Sequence, residues 1–284
     1  MLTGHPSESD KIVAIIQSRM SASRLPGKVL LDLAGEPVLA RVVERTQRSQ
    51  WIDQVVVATS SDKTDDPIES FCSERNYPCF RGDLQDVLDR YYQAAVHFSA
   101  DVVVRITGDC PIIDPLVIDQ TILAFYGHGP SLIKRDLDLP EKNRLLTENL
   151  SPAWDFAANR LPPPWKRTFP IGLDTEVCTI AALESAWRKA NRAHQREHVM
   201  PFLYEEDQDF KALIVNHDPD YGEFRLTIDT PPDLELLNLI YEEFDGEYSF
   251  AWYEVLDFLK NNPALMNINA EIEHKDYSDF EITS

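Results

Sequence analysis

An α/β fold on a mainly parallel, mixed sheet is predicted by three features of this 284-residue sequence. β-Branched apolar runs recur at 12–16, 54–59 and 101–106, helix-length segments separate them, and two of those segments open on proline. Alternating strands and helices specify parallel pairing, and apolar runs without polar alternation specify strands covered on both faces. The expected architecture is Rossmann-like, three layers of helix, sheet and helix in one domain over residues 11–260.

Residues 1–10 are polar and read as a disordered tail. Ile12-Val13-Ala14-Ile15-Ile16 then forms the first strand and ends in a polar loop. Pro37 precedes Val38, Leu39, Val42 and Val43, and Asp66-Pro67 precedes Ile68 and Phe71. Proline suits a first helical turn, whose N–H groups have no intrahelical acceptor. A third helix is expected from Leu84 to Phe98, where Val87, Leu88, Tyr91, Ala94, Ala95 and Phe98 recur at helical spacing and pack a core.

From Gly127 to Arg167 the pattern dissolves into Pro, Asn, Asp and Lys, including Leu161-Pro162-Pro163-Pro164-Trp165. This stretch reads as an inserted lid or dimerisation arm. Beyond it a strand is expected from Leu173 to Val177, a helix from Thr179 to Ala190, and another helix from about Gln195. A strand pair, Lys211 to Val215 with Phe224 to Ile228, precedes helices at Pro232 to Phe244 and Phe250 to Leu259. Residues 261–284 form an acidic tail, either loose or a packing arm.

With 43% hydrophobic residues the chain can bury a sizeable core. Acidic residues outnumber basic ones 48 to 27, a net charge of −21, so nucleic acid and anionic membranes are poor partners. No apolar run reaches the roughly 18 residues of a membrane span. Cys72, Cys79, Cys110 and Cys178 show no C-x-x-C spacing, and Met1 to Asp10 lacks the apolar core of a secretory leader. Reduced thiols in the cytoplasm are therefore expected.

In so acidic a chain, the cations of Gln17-Ser18-Arg19-Met20-Ser21-Ala22-Ser23-Arg24-Leu25-Pro26-Gly27-Lys28 stand out. The loop follows the first strand, where open α/β sheets bind ligands, and its Arg and Lys side chains can neutralise a triphosphate. A P-loop would need glycine at 22 and Ser or Thr at 29, where this chain has Ala22 and Val29, and no G-x-G-x-x-G occurs. The remaining reading of the loop is a solvated basic segment.

Asp109, in Thr107-Gly108-Asp109-Cys110-Pro111, and Asp229 both end apolar runs, so they emerge at one sheet edge or cap the helices that follow. Asp174 and Glu176 fall on one face of their expected strand. His194 and His198 are spaced i, i+4, but Gln195 stands where a zinc-protease motif has glutamate, so packing or hydrogen bonding is favoured over metal. His198 is a possible substrate contact.

These blocks resemble a known family. Ile15 to Met20 with Ser23 to Leu30, Phe80-Arg81-Gly82 with Asp86 to Tyr92, and Arg105 to Pro111 carry the likeness, followed by Gly172 to Val177, Arg196-Glu197-His198-Val199 and Arg225 to Asp229. The chain resembles the cytidylyltransferases of the spore-coat polysaccharide (SpsF-like) group, relatives of CMP-ketodeoxyoctonate and CMP-acylneuraminate synthetases. The resemblance implies transfer of CMP from CTP to a sugar-acid or related acceptor, release of pyrophosphate, a Mg²⁺ cofactor and a homodimer.

By that resemblance Arg19, Arg24 and Lys28 contact the triphosphate, with Gln17, Ser18 and Ser23 beside them, and Asp109 and Asp229 hold Mg²⁺. Arg19, Lys28, Asp109 and Asp229 form the catalytic set. Thr59, Arg81, Asp89 and Arg90 are candidates for the base, while Asp174, Glu176, Arg196 and His198 are candidates for the acceptor. Two departures stand against the family pattern: Ser21-Ala22 lacks a phosphate-facing serine, and the segment from about Pro130 to Ala153 is longer than expected. Rival readings are a sugar-nucleotide glycosyltransferase, for which no D-x-D follows a central strand, and a non-catalytic nucleotide-binding protein.

Overall fold

The computed structural model describes residues 10–128, 132–133, 151–162, 165–205 and 209–272. Its sheet holds strands β1 (Ile12–Gln17), β2 (Gln54–Ser60), β3 (Cys79–Gly82), β4 (Val102–Thr107), β5 (Phe156–Ala158), β6 (Glu176–Thr179) and β7 (Ala212–Ile214). They lie in the order β7-β5-β6-β4-β1-β2-β3, with β6 antiparallel to both neighbours and every other pairing parallel. The predicted mixed, mainly parallel sheet is present.

Alternate residues of β1 separate the two outer layers. Ile12, Ala14 and Ile16 pack with helices α1 (Val38–Thr46), α2 (Asp66–Arg75) and α4 (Pro115–Phe125). Val13 and Ile15 pack with α3 (Val87–His97) and α5 (Ile180–Lys189). Both faces are covered, which is why β1 reads as an unbroken apolar run. A third cluster joins Ile112, Leu226 and Ile228 to α7 (Pro231–Glu243) and α8 (Trp252–Asn261). It supports Asp109 and Asp229 from beneath.

The helix starts agree with their sequence signals: Pro37 immediately precedes α1, and α2 carries proline in its first turn. The later strands differ from expectation. Phe156–Ala158 lies inside the segment read as an insert, yet it is an inner strand; three residues flanked by loop chemistry give no readable alternation. Residues 134–150 of that segment lie outside the described residues.

The strand expected at Leu173 to Val177 begins instead at Glu176. Gly172 has φ +106°, and a Cβ there would meet the Leu226 carbonyl oxygen at 2.4 Å, so this stretch follows 225–228 rather than the sheet. The Asn159 side chain fixes it by donating to the Leu173 carbonyl at 2.7 Å and accepting from the Thr175 N–H at 2.9 Å. The expected strand pair is likewise absent: Ala212–Ile214 pairs with β5, and 224–228 makes a lone bridge through Ile171 and Arg225. Apolar patterning sets which face is buried, not which strand is the partner.

At the termini, Asp10 accepts from the Tyr126 hydroxyl at 2.9 Å, while 1–9 lie outside the described residues. Buried Asn269 donates to the Arg225 carbonyl and to Asp233, so the segment after α8 packs on the domain as far as it is described.

Candidate active site

The chain moves outward from β1 to β2 and β3, then returns to place β4 on the other side of β1, which opens a crevice beyond the ends of β1 and β4. There the Gly108 N–H donates to the Gln17 carbonyl at 2.8 Å, and the Ser18 N–H donates to the Ala58 carbonyl at 3.0 Å. A Cβ at Gly108 would lie 2.2 Å from Ser18 Oγ and 2.9 Å from the Gln17 carbonyl oxygen. Gly108→Ala is expected to cost about 1–3 kcal/mol of stability and to weaken nucleotide binding, read by urea unfolding and calorimetry.

After Ser18 the loop folds about Met20, whose carbonyl accepts from Ala22 N–H at 2.9 Å and Gly27 N–H at 2.8 Å. Gly27, at φ +72°, turns the chain into a short 3₁₀ turn, Lys28–Leu30, and thereby sends Lys28 back into the crevice. A cavity of about 380 Å³ results, lined by the loop together with Thr107, Gly108, Asp109 and Asp229. Gln17, Ser18, Arg19, Ser23, Arg24 and Lys28 all border it.

At its floor lies a charge cluster. Lys28 Nζ donates to Asp109 Oδ2 at 2.5 Å and to Asp229 Oδ1 at 2.7 Å. Asp229 Oδ2 accepts from Arg24 and from Arg225, each at 2.7 Å, and Arg225 is itself held by the buried Asp233 at 2.8 Å. Burial alone would push the Lys28 ammonium pKa down, but Asp109 and Asp229 outweigh it and hold the value above its ordinary one. Burial acts on Asp229 in the opposite sense, and Lys28, Arg225 and Arg24 overcome it, bringing that carboxyl down to about 2. Both groups are charged at neutral pH.

A second cavity of about 260 Å³ adjoins the first, sharing Thr107, Asp109 and Asp229. Asp174, Glu176 and His198 line it, as do Arg105 and Arg160. Arg105 Nη1 donates to Glu176 at 2.5 Å, and Arg167 neutralises Asp174 through a short bidentate pair. Burial, reinforced by Arg105 and Arg160, lowers the His198 pKa to about 4, so its ring is neutral at pH 7. Arg160 has no carboxylate partner among the described residues.

Other expected site residues lie elsewhere. Thr59 is fully buried and borders neither cavity. Arg81 ties down the loop after β2, donating to the Ser60 and Asp62 carbonyls at 2.8 Å and pairing with Asp66 and Glu69. Asp89 accepts from the Trp187 indole at 2.7 Å. Arg90 is buried, its guanidinium nitrogens have no hydrogen-bond partner among the described residues, and desolvation lowers its pKa.

Arg196, on helix α6 (Ala193–His198), stands apart from the second cavity. It forks onto Asp86 at the start of α3 and donates to the Trp187 carbonyl at 2.6 Å, which locks three helices together. Sequence spacing could not distinguish this bracing from acceptor binding, because both use an arginine facing a carboxylate. Arg196→Ala is expected to cost about 1–2 kcal/mol of stability and to leave acceptor KM unchanged, measured by thermal melting and steady-state kinetics. His194 bonds Glu205 at 2.9 Å, and no group of three or more His, Cys, Asp or Glu side chains that could hold a metal ion occurs among the described residues.

Arg160, which lines the second cavity, was not legible in the sequence: it sits in proline-rich sequence one residue past Asn159.

A family model described as Cytidylyltransferase matches residues 13–243. The chain belongs to the cytidylyltransferase family. It is 30% identical to the spore coat polysaccharide biosynthesis protein SpsF of Bacillus subtilis, over 89% of this chain and 95% of that protein. It is 34% identical to the 3-deoxy-manno-octulosonate cytidylyltransferase of Trichlorobacter lovleyi over 54% of this chain and 63% of that one. A solved cytidylyltransferase from Leptospira borgpetersenii aligns with TM-score 0.77 and 29% identity, covering 94% of this chain and all of its own. This cytidylyltransferase is thus an enzyme that transfers CMP from CTP. No described helix is long and apolar enough to cross a membrane.

Proposed function

We propose that the enzyme loads CMP onto a sugar acid, with CTP in the first cavity and the acceptor in the second. The supporting observation is the shared wall: Asp109 and Asp229 border both cavities, so an acceptor oxygen beside them adjoins a nucleotide α-phosphate held by the loop. Attack on that phosphate displaces pyrophosphate. Arg19, Arg24 and Lys28 face the triphosphate and stabilise charge on the α-phosphate and leaving oxygens without reorganising. Gln17, Ser18 and Ser23 supply neutral contacts.

Asp109 and Asp229 suit Mg²⁺ because their oxygens already converge on one positive centre, Lys28 Nζ. A site of two carboxylates, completed by phosphate oxygens and water, is the usual Mg²⁺ arrangement. The ion would polarise the α-phosphate and neutralise the departing pyrophosphate. Arg90, buried and bordering neither cavity, is assigned no contact with the nucleotide. Arg81 holds the loop after β2, and Thr59 and Asp89 likewise receive no contact with the nucleotide.

In the second cavity Arg105 and Arg167 already neutralise Glu176 and Asp174, which leaves Arg160 as the cation for an acceptor carboxylate. Asp174, Glu176 and His198 then offer hydrogen bonds to sugar hydroxyls. The relatives named for 3-deoxy-manno-octulosonate support this acceptor class. The resemblance also supports a cytoplasmic homodimer, checked by light scattering and fractionation.

With labelled CTP, Mg²⁺ and pyrophosphatase, 3-deoxy-manno-octulosonate and related sugar acids are expected to release pyrophosphate, and their carboxyl methyl esters are not. Arg160→Ala should raise acceptor KM about 10²-fold while CTP affinity stays constant. Turnover restricted to uncharged sugars, or an unaltered KM in Arg160→Ala, would overturn the acid-acceptor reading.

A further inference from the structure

The loop's geometry depends on a carboxylate outside both cavities. Asp65 is fully buried at the end of the 3₁₀ turn Lys63–Asp65, just before α2. One of its oxygens, Oδ1, accepts from the Met20 N–H at 2.7 Å. The other accepts from the Ser60 N–H at 3.2 Å and from the Ser60 hydroxyl through a short bond. Asp65 therefore connects the end of β2 to the middle of the loop.

Met20 is the residue about which the loop closes. Its carbonyl gathers Ala22 and Gly27, its side chain packs on the core under β1, and its N–H is spent on Asp65. Gly27 in turn aims Lys28 at Asp109 and Asp229. The two ends of the loop are tied by the Ser18 N–H to the Ala58 carbonyl and by Arg24 and Lys28 to Asp229 and Asp109, which leaves its middle to be held from elsewhere. A buried anion joined to its central N–H supplies the attachment and a compensating negative charge.

We propose that Asp65 is the positioning residue of the nucleotide loop: by holding the Met20 N–H it fixes Arg19, Arg24 and Lys28 in the arrangement that receives the triphosphate. This rests on the assignment of CTP to that loop. Asp65 touches neither nucleotide nor acceptor. Its effect is transmitted through Met20, and it changes nucleotide affinity and chemistry while leaving the second cavity intact.

Calorimetric titration with CTP and Mg²⁺, together with limited trypsin digestion after Arg19 and Arg24, tests the idea without any acceptor. Wild type should bind CTP, and CTP should protect the loop; failure here defeats the nucleotide assignment itself. Asp65→Asn should weaken CTP binding about tenfold or more and expose the loop to trypsin, while Thr179→Ala, which removes the side-chain cap of α5 at the end of β6 away from Glu176, does neither. Wild-type affinity and digestion in Asp65→Asn would overturn the proposal. Should that variant not fold, hydrogen exchange of wild type decides: the Met20 amide is expected to exchange far more slowly than those of Ser21 and Ser23. Equal rates would show that Asp65 holds nothing.

Discussion

Lys28→Ala is expected to lower turnover about 10²–10³-fold while strengthening the binding of Mn²⁺ in the absence of nucleotide. The first effect follows from removing a buried cation that, in the proposed complex, would face the α-phosphate and leaving oxygens. The second follows from geometry. The ammonium lies 2.5 Å from Asp109 Oδ2 and 2.7 Å from Asp229 Oδ1, and a divalent ion bound to the same two oxygens would sit about 2.0–2.1 Å from each. The two cations cannot occupy that place together.

On this competition, Lys28 would leave Asp109 and Asp229 when those carboxylates hold a metal, and a triphosphate would supply the anion to which it moves. Nucleotide and metal are therefore expected to bind with positive coupling in wild type. Alanine at 28 removes the competitor and with it most of the coupling. Mn²⁺ paramagnetic resonance with and without CTP measures this directly; nucleotide-free Mn²⁺ affinity unchanged from wild type would rule out the competition.

Asp109→Asn and Asp229→Asn should each reduce Mg²⁺-dependent turnover about 10³-fold, yet only the second should also destabilise the fold, by about 1–3 kcal/mol. Asp109 bonds Lys28, whereas Asp229 gathers Lys28, Arg24 and the largely buried Arg225, so loss of its charge weakens three pairings at once, although Lys28 keeps Asp109 and Arg225 keeps Asp233. Pyrophosphate release and urea unfolding of the two variants test the contrast. Equal stabilities would show that Asp229 is not the hub it appears from its bonds.

The same cluster fixes the expected pH behaviour. The Asp229 carboxyl is depressed to about 2 from an ordinary 3.8, so its pairing stabilises the fold above pH 4. That contribution fades as pH falls from about 4 through 2. Since Lys28 is shifted upward and Asp229 downward, neither titrates between pH 5 and 8, and a rate change within that window arises from another group.

How far the site could be read from sequence depended on how local its signals were. The loop at 17–28 was legible because cations crowd one short stretch of an acidic chain, and Asp109 because it ends a buried strand. Arg196 was legible as an interacting arginine, but its partner Asp86 lies far away in the chain, and nothing local distinguishes a brace from a binding group. Asp65 and Arg160 carried no signal of their own, since each acquires its position only through the packing around it.

Side-chain patterning by itself determined the α/β class, the central strands and the helix starts, because burial on both faces and proline at a first turn are properties of neighbouring residues. Only the tertiary structure decided that Phe156–Ala158 is an inner strand, that Glu176–Thr179 runs antiparallel, and that Lys28, Asp109 and Asp229 meet. Those outcomes depend on pairing register and on charges brought together across the chain. Their energies do not exist until the sheet has formed.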